Sequence, residues 1–338
     1  MSMEQHSYGL GHTGIKQKIG NIMQKQGIFF VLAVLFVICS LSNPNFLSFD
    51  NLTNISRQLS VTTIVAFGET ILIICGMIDL SAGSVIALSG VLSVATFKAT
   101  ESLMLAIAVG IAIGVICNMI NATMITNFKV PPFIATLAMQ TVARGVALLY
   151  TKGQNILRLG GFTVLGQGSI GDVPTPIIFM VCIFVATWYI LKHTRFGRSI
   201  YAIGGNEEAA AASGINVNRI KYKAFFIHGV LVGIAGVLFM SRVNAGLPNG
   251  AINYEFTALT AAIIGGTSFS GGIGTAAGTM AGAFIVGFLD NIMNLTGVDS
   301  YIQQIVRGAI IALAVIYDIW AKGKRRTKRS LGDIERKV

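Results

Sequence analysis

The sequence predicts an all-α, polytopic transmembrane helical bundle of about ten spans with an internal duplication. Three observations carry that reading. Of the 338 residues, 53% are hydrophobic and only 12% charged, whereas soluble domains carry about 25% charged residues. Apolar runs near the bilayer-spanning length recur along the whole chain, and mean hydropathy is +0.71. One glycine-serine octapeptide returns in the second half.

The elements follow in order. Residues 1–26 form a basic N-terminal tail with Lys16, Lys18 and Lys25. The apolar run at 27–42 resembles a signal peptide. No small-x-small cleavage site follows it, so it reads as an uncleaved first span. Further spans are predicted at 60–78, 82–97, 102–125, 133–150, 176–191, 224–241, 256–266, 273–292 and 303–321. The segment at 256–266 is too short to cross about 30 Å as a regular helix, so a broken, re-entrant or neighbour-buried helix is expected there. Pro131 and Pro132 open the fifth span, and Pro174 and Pro176 the sixth, where a missing amide costs nothing. The single transmembrane domain thus covers 27–321, with a polar loop at 192–223 and a basic tail at 322–338.

Basic residues set the orientation. With an even span count both termini share one side, and that side carries eighteen of the 25 Lys and Arg, against five opposite (Arg57, Lys98, Lys152, Arg158, Arg242). The positive-inside rule places the termini and the 192–223 loop in the cytoplasm of a bacterial inner membrane. The net charge of +11 is then a juxtamembrane feature facing anionic lipid, and nucleic acid is not expected as a partner. Cys39, Cys75, Cys117 and Cys182 lie far apart in apolar runs and read as packing residues. The four histidines are scattered, and no metal motif is read.

Glycine recurs four residues apart in Gly110/Gly114, Gly229/Gly233 and Gly274/Gly278/Gly282. Such faces admit close backbone approach between helices, within one chain or between subunits. "GMIDLSAG" (Gly76–Gly83) aligns with "GGTSFSGG" (Gly265–Gly272), Gly76 matching Gly265 and Ser81 matching Ser270. Glycine-interrupted hydrophobic segments in equivalent halves point to a transport pathway. Asp79, Ser81, Ser84, Thr267, Ser268 and Ser270 are the polar groups at these interruptions. Asp79 is expected to cap the following helix. Glu69, Arg144, Asp290 and Arg307 are ionisable at membrane depth. Polar glue or a buried ion pair accounts for them, with a proton pathway as the alternative. No G-x-x-x-x-G-K-[ST] occurs, so this chain supplies no P-loop ATPase.

Within the 192–223 loop, Asn206 suits an N-cap, and Glu207 and Glu208 suit the first turn. Ala209–Ala212 propagate a helix and Gly214 ends it. The result is about 10 Å long, too short to stand alone in water. It rests on its own bundle or on a partner.

Glu208-Ala209-Ala210, three residues, then Gly214 resemble the E-A-A-x-x-x-G signature of ABC importer permeases, without the later I-x-L-P. "GMIDLSAGS", "TRFGRSIYAIGGNEEAA", "GGTSFSGGIGT" and "YIQQIVRGAIIALAV" resemble the ribose and related monosaccharide permeases. The resemblance runs from about Asn43 to Trp320. It implies a permease subunit, commonly a homodimer, with a periplasmic sugar-binding protein outside and a cytoplasmic ATPase inside. ATP and Mg would bind that ATPase, and this chain would bind no cofactor and act as no enzyme. By the same resemblance Asn206, Glu207, Glu208, Ala209, Ala210 and Gly214 form the element that couples to the ATPase. Glu69 stands where a hydroxyl or apolar residue is expected. A branched-chain amino acid permease and a stand-alone proton-coupled carrier are the alternatives.

Overall fold

The computed structural model describes residues 12–313 and 315–316, with side-chain surroundings from residue 27 onward. The first eleven residues, the end of the tenth predicted span and the basic tail at 322–338 lie outside the described residues.

The helices are α1 (His12–Ser42), α2 (Phe49–Ile74), α3 (Ala82–Thr100), α4 (Leu103–Thr126), α5 (Pro132–Thr151), α6 (Val164–Gln167), α7 (Thr175–His193), α8 (Arg195–Gly205), α9 (Glu207–Ala212), α10 (Val217–Val243), α11 (Tyr254–Ile264) and α12 (Ala276–Leu295). A last helical run occupies 300–313. Seven of these are long and apolar enough to cross a membrane; the apolar part of α1, Gly27–Ser42, and α11 are shorter. Together with 300–313 they correspond in order to the ten segments read from the sequence.

Three helix starts lie well ahead of expectation: α1 begins at His12, within the predicted tail, rather than at 27, and two more are set by caps. α2 begins at Phe49 rather than 60, because the Ser48 side chain accepts the Asn51 amide and holds a polar first turn in helix. α10 begins at Val217 rather than 224, capped by Asn216, which accepts from the Arg219 amide at 3.0 Å. α8 was not foreseen. It starts where Thr194 accepts the Gly197 amide at 3.0 Å, and it buries Gly197, Ile200 and Ile203 at helical spacing.

α2 and α10 are the core. Of their apolar windows 83% and 78% is buried, against 22% for α7, whose surface also carries the exposed Cys182. The glycine faces meet inside the chain. A methyl at Gly114 would overlap the Gly229 carbonyl, and one at Gly233 would lie 2.7 Å from the Gly110 carbonyl. α4 and α10 therefore touch backbone to backbone, and Gly278 and Gly282 do the same against the end of α11. These faces serve packing within one chain.

The outer loops are tied by two-residue antiparallel pairs: Ile156–Leu157 with Ala245–Gly246, and Ser169–Ile170 with Val173–Pro174. The first brings the long 152–174 loop against the end of α10.

Both interruptions begin at a glycine cap of the same geometry, one residue out of the aligned register; α9 at Gly214 and α12 at Gly297 end the same way, so the cap does not itself mark a duplication. Gly76 has φ +80° and Gly266 φ +86°. The Gly76 amide donates to Ile73 O and the Met77 amide to Leu72 O; the Gly266 amide donates to Ile263 O and the Thr267 amide to Ala262 O, all at 2.9 Å. Both helices thus end in the same glycine-dependent cap. Gly76 matches Gly266, not Gly265. The second interruption is also longer, since α3 starts at Ala82 and α12 only at Ala276.

Candidate functional site

α9 forms as its residues dictate. Asn206 accepts the Ala209 amide at 2.9 Å. Glu207 and Glu208 occupy the first turn. Beyond the helix Gly214 adopts φ +84°, and the Ile215 amide returns to Ala210 O at 3.1 Å. Lys221 reaches Glu207 at 2.8 Å. Within 206–214 only Ala210 is buried. The short helix touches its own bundle along one line and leaves the remaining face open.

α8 runs directly into α9 and connects it to both interruptions. Tyr201 donates its hydroxyl to Gly274 O at 2.7 Å. The Gly272 amide donates to Ile74 O at 2.8 Å, so the second interruption is hydrogen-bonded to the end of α2. Gly204 lies over that bond. A methyl there would overlap Ile74 O and sit 2.5 Å from the Gly272 nitrogen. Three backbone segments meet where no side chain fits.

Nearby lies a buried polar cluster. Asp79 does not cap α3 as expected; its neighbour Ser81 holds the N-cap position, without a side-chain cap bond. Asp79 Oδ1 instead accepts the Ser81 amide at 2.7 Å and the Ser81 hydroxyl at 2.5 Å. Its Oδ2 lies 3.0 Å from Nε2 of His228 on α10. Glu69 Oε1 is 3.6 Å from the same nitrogen, and its Oε2 accepts the Asp79 amide at 3.4 Å. Asn121 of α4 donates to Ser81 Oγ at 3.1 Å. Glu69, Asp79 and His228 are fully buried. Three helices, α2, α4 and α10, and the first interruption are thereby pinned to one another. Sequence reasoning singled out Glu69 and Asp79 separately but missed His228, because a pairing across 149 residues leaves no local signal.

Among the described residues, these three are also a grouping whose possible metal-ligand atoms lie within 4.8 Å of one another. Tetrahedral zinc ligands stand only about 3.4 Å apart at bond lengths near 2.1 Å. Here His228 Nε2 stands 3.0 Å from Asp79 Oδ2, a hydrogen-bond distance, and 3.6 Å from Glu69 Oε1.

The other sequence candidates are dispersed. Arg144 is not a counter-charge for Glu69: its Nη1 donates to Pro248 O at 2.7 Å and Gly250 O at 2.8 Å. Arg307 pairs with Asp290 at 2.8 Å. Ser84, Thr267 and Ser268 are buried, and Ser270 is exposed. Glu255, which was not singled out, is buried at the start of α11 and accepts from Gln140 at 3.1 Å. The first interruption is thus largely buried, while the second exposes Gly266, Phe269, Ser270, Ile273 and Thr275. Open polar space lies at the far end of α2, where Asn54, Arg57 and Gln58 face Gln167 and Arg242 across a cleft of about 540 Å³.

Residues 51–315 match the family described as "Branched-chain amino acid transport system / permease component". The chain is 40% identical over 313 residues to Ribose import permease protein RbsC of Haemophilus influenzae, covering 91% of this chain and 97% of that one. It is 44% identical over 300 residues to RbsC of Bacillus subtilis, covering 88% and 93%. L-arabinose transport system permease protein AraH of Escherichia coli is 36% identical over 320 residues, covering 94% and 98%. No solved structure matches the chain.

Proposed function

Because the chain belongs to the branched-chain amino acid transport system / permease component family, we propose that it is the transmembrane permease subunit of an ATP-driven sugar importer, with ribose as its sugar. The observation that carries this is the match along about nine-tenths of the chain to ribose import permeases. An amino acid cargo is not favoured, since the relatives just described are named for ribose and arabinose. The protein is a multi-pass inner-membrane subunit, and it works with an ATPase and a periplasmic binding protein.

Several finer assignments belong to the same proposal. Both termini face the cytoplasm, as the distribution of basic residues supports. Two copies pair around a central path. ATP and Mg bind the ATPase subunit. The open face of α9, from Asn206 to Gly214, docks on that ATPase. Nucleotide-driven movement of the ATPase then shifts α9 and α8 as one stiff piece, and α8 bears on both interruptions.

The test is uptake by the complete complex in proteoliposomes loaded with ATP and supplied with the binding protein. Labelled ribose accumulates, leucine does not, and a protonophore leaves accumulation intact. Uptake that persists without ATP and collapses with the proton gradient would replace this reading with a proton-coupled carrier.

A further inference from the structure

We propose that the elbow between α7 and α8 is a docking site for a phospholipid with an anionic headgroup, held by Trp188, Tyr189, Lys192, His193 and Arg195. The site requires only that α7 crosses the membrane, whatever the cargo.

The outward face of α7 changes character in order along the helix. Val181, Val185, Trp188 and Lys192 follow at helical spacing on one stripe, flanked by Tyr189 and His193, and all six are exposed. α7 is also the least buried of the seven candidate spans. The face is thus apolar first, aromatic second and cationic last. That is the order met on leaving a bilayer, from acyl chains through the interface to the headgroups.

The aromatic and cationic groups form one patch. The His193 ring stacks on Tyr189, with centres 5.5 Å apart, and stands edge to face with Trp188 at 5.0 Å. Lys192 Nζ lies 5.1 Å from the centre of the Trp188 ring. Arg195 and Arg198 open α8 immediately beyond, and both are exposed. Among the described residues, none of Lys192, Arg195 and Arg198 pairs with an acid; Glu207, on the next helix, is taken by Lys221 at 2.8 Å.

Charge decides the occupant. A second copy related by a two-fold axis along the membrane normal would bring this cluster against its own like charges. Trp188 and Tyr189 lie within the span, out of reach of a protein in the cytoplasm. A neutral lipid would cover the rings and leave three cations without a net counter-charge. An anionic phospholipid meets both needs. Its acyl chain covers the Val181–Val185 face, and its phosphate group meets Lys192 and Arg195. Thr194 sits at the bend, donating to Ile190 O at 2.6 Å and accepting the Gly197 amide at 3.0 Å. The headgroup therefore lies at the root of α8, the helix that bears on both interruptions.

The experiment uses the full chain with Trp320→Phe, which leaves Trp188 as its one tryptophan, in nanodiscs of phosphatidylcholine. Acyl-brominated phosphatidylglycerol or acyl-brominated phosphatidylcholine is added in steps, and the quenching of Trp188 fluorescence is read. The phosphatidylglycerol is expected to half-quench at a mole fraction at least tenfold lower. Lys192→Gln and Arg195→Gln each reduce that preference by about fivefold, the worth of one basic residue at an anionic surface, and together they abolish it. Arg219→Gln, equally exposed but beside α9, leaves it unchanged. Equal quenching by the two lipids would make the patch an unselective interface belt and overturn the site. Quenching by neither would place another protein surface over α7 and overturn it too. A preference that survives the double substitution does the same.

Discussion

His228 sits between two carboxylates, and the three side chains are not equivalent. Asp79 holds the Ser81 amide, the Ser81 hydroxyl and His228. Glu69 has one weak amide contact and an Oε1 without a hydrogen-bond partner. Removing a buried group that satisfies several others strands all of them. Asp79→Ala is therefore expected to cost about 2–4 kcal/mol, and Glu69→Gln about 1 kcal/mol or less. Denaturant unfolding in mild detergent measures the order. Uptake, normalised to the amount of complex, checks the role: Glu69→Gln keeps most ATP-driven ribose transport. If Glu69→Gln abolished transport while stability held, Glu69 would be a driving-ion residue and not part of a structural cluster. Both acids were legible as isolated intramembrane charges. Their common partner was not, since a histidine in a span is unremarkable until the fold sets it beside Asp79.

Among the elements, α8 carries most of what the sequence left unread. The α9 residues announce themselves by local chemistry: a cap, two acids, four alanines and a glycine. The prolines and hydropathy announce the spans, and glycines four apart announce close backbone approach, but not which helices meet or whether they belong to one chain. α8 has three basic or small residues in its first turn and no acidic start, so its amphipathic face emerged only against the bundle. Its function emerges at Gly204, which leaves room for Gly272 to bond Ile74 O. A Cβ cannot fit there without moving backbone, because the atoms it meets are backbone atoms. Gly204→Ala is expected to leave the ATPase subunit bound, since α9 keeps its cap and its exposed face. It should cut ribose transport per ATP hydrolysed by roughly tenfold or more, the effect of about 1.4 kcal/mol of lost coupling. Co-purification followed by paired uptake and hydrolysis assays separates the two. Loss of the ATPase itself would show that α8 shapes the docking face and does not transmit its motion.

At the scale of the whole molecule, every assignment of a side rests on the same charge asymmetry. The fold adds an internal consistency. Asn51 at the start of α2 and Asn291 late in α12 exchange amide hydrogen bonds at 2.8 and 3.1 Å. The start of α11 shares a cavity with Asp290 of α12. α2 and α11 thus run the same way, and the two interruptions meet at the level of α8. Whichever side α9 faces, Asn54 and Gln58 lie toward the other. Orientation is therefore one binary choice, and labelling decides it. On the Cys182→Ser background, Gln154→Cys in the long loop and Arg219→Cys beside α9 are both exposed positions. In spheroplasts an impermeant maleimide should label Gln154→Cys at once and Arg219→Cys only after the membrane is opened. The positive-inside rule demands this result, because the 192–223 loop carries six basic residues. The reverse pattern would put α9 outside, beyond reach of any ATP-consuming subunit, and would turn the Arg57–Arg242 cleft toward the cytoplasm. The coupling assignment would then be lost by one measurement.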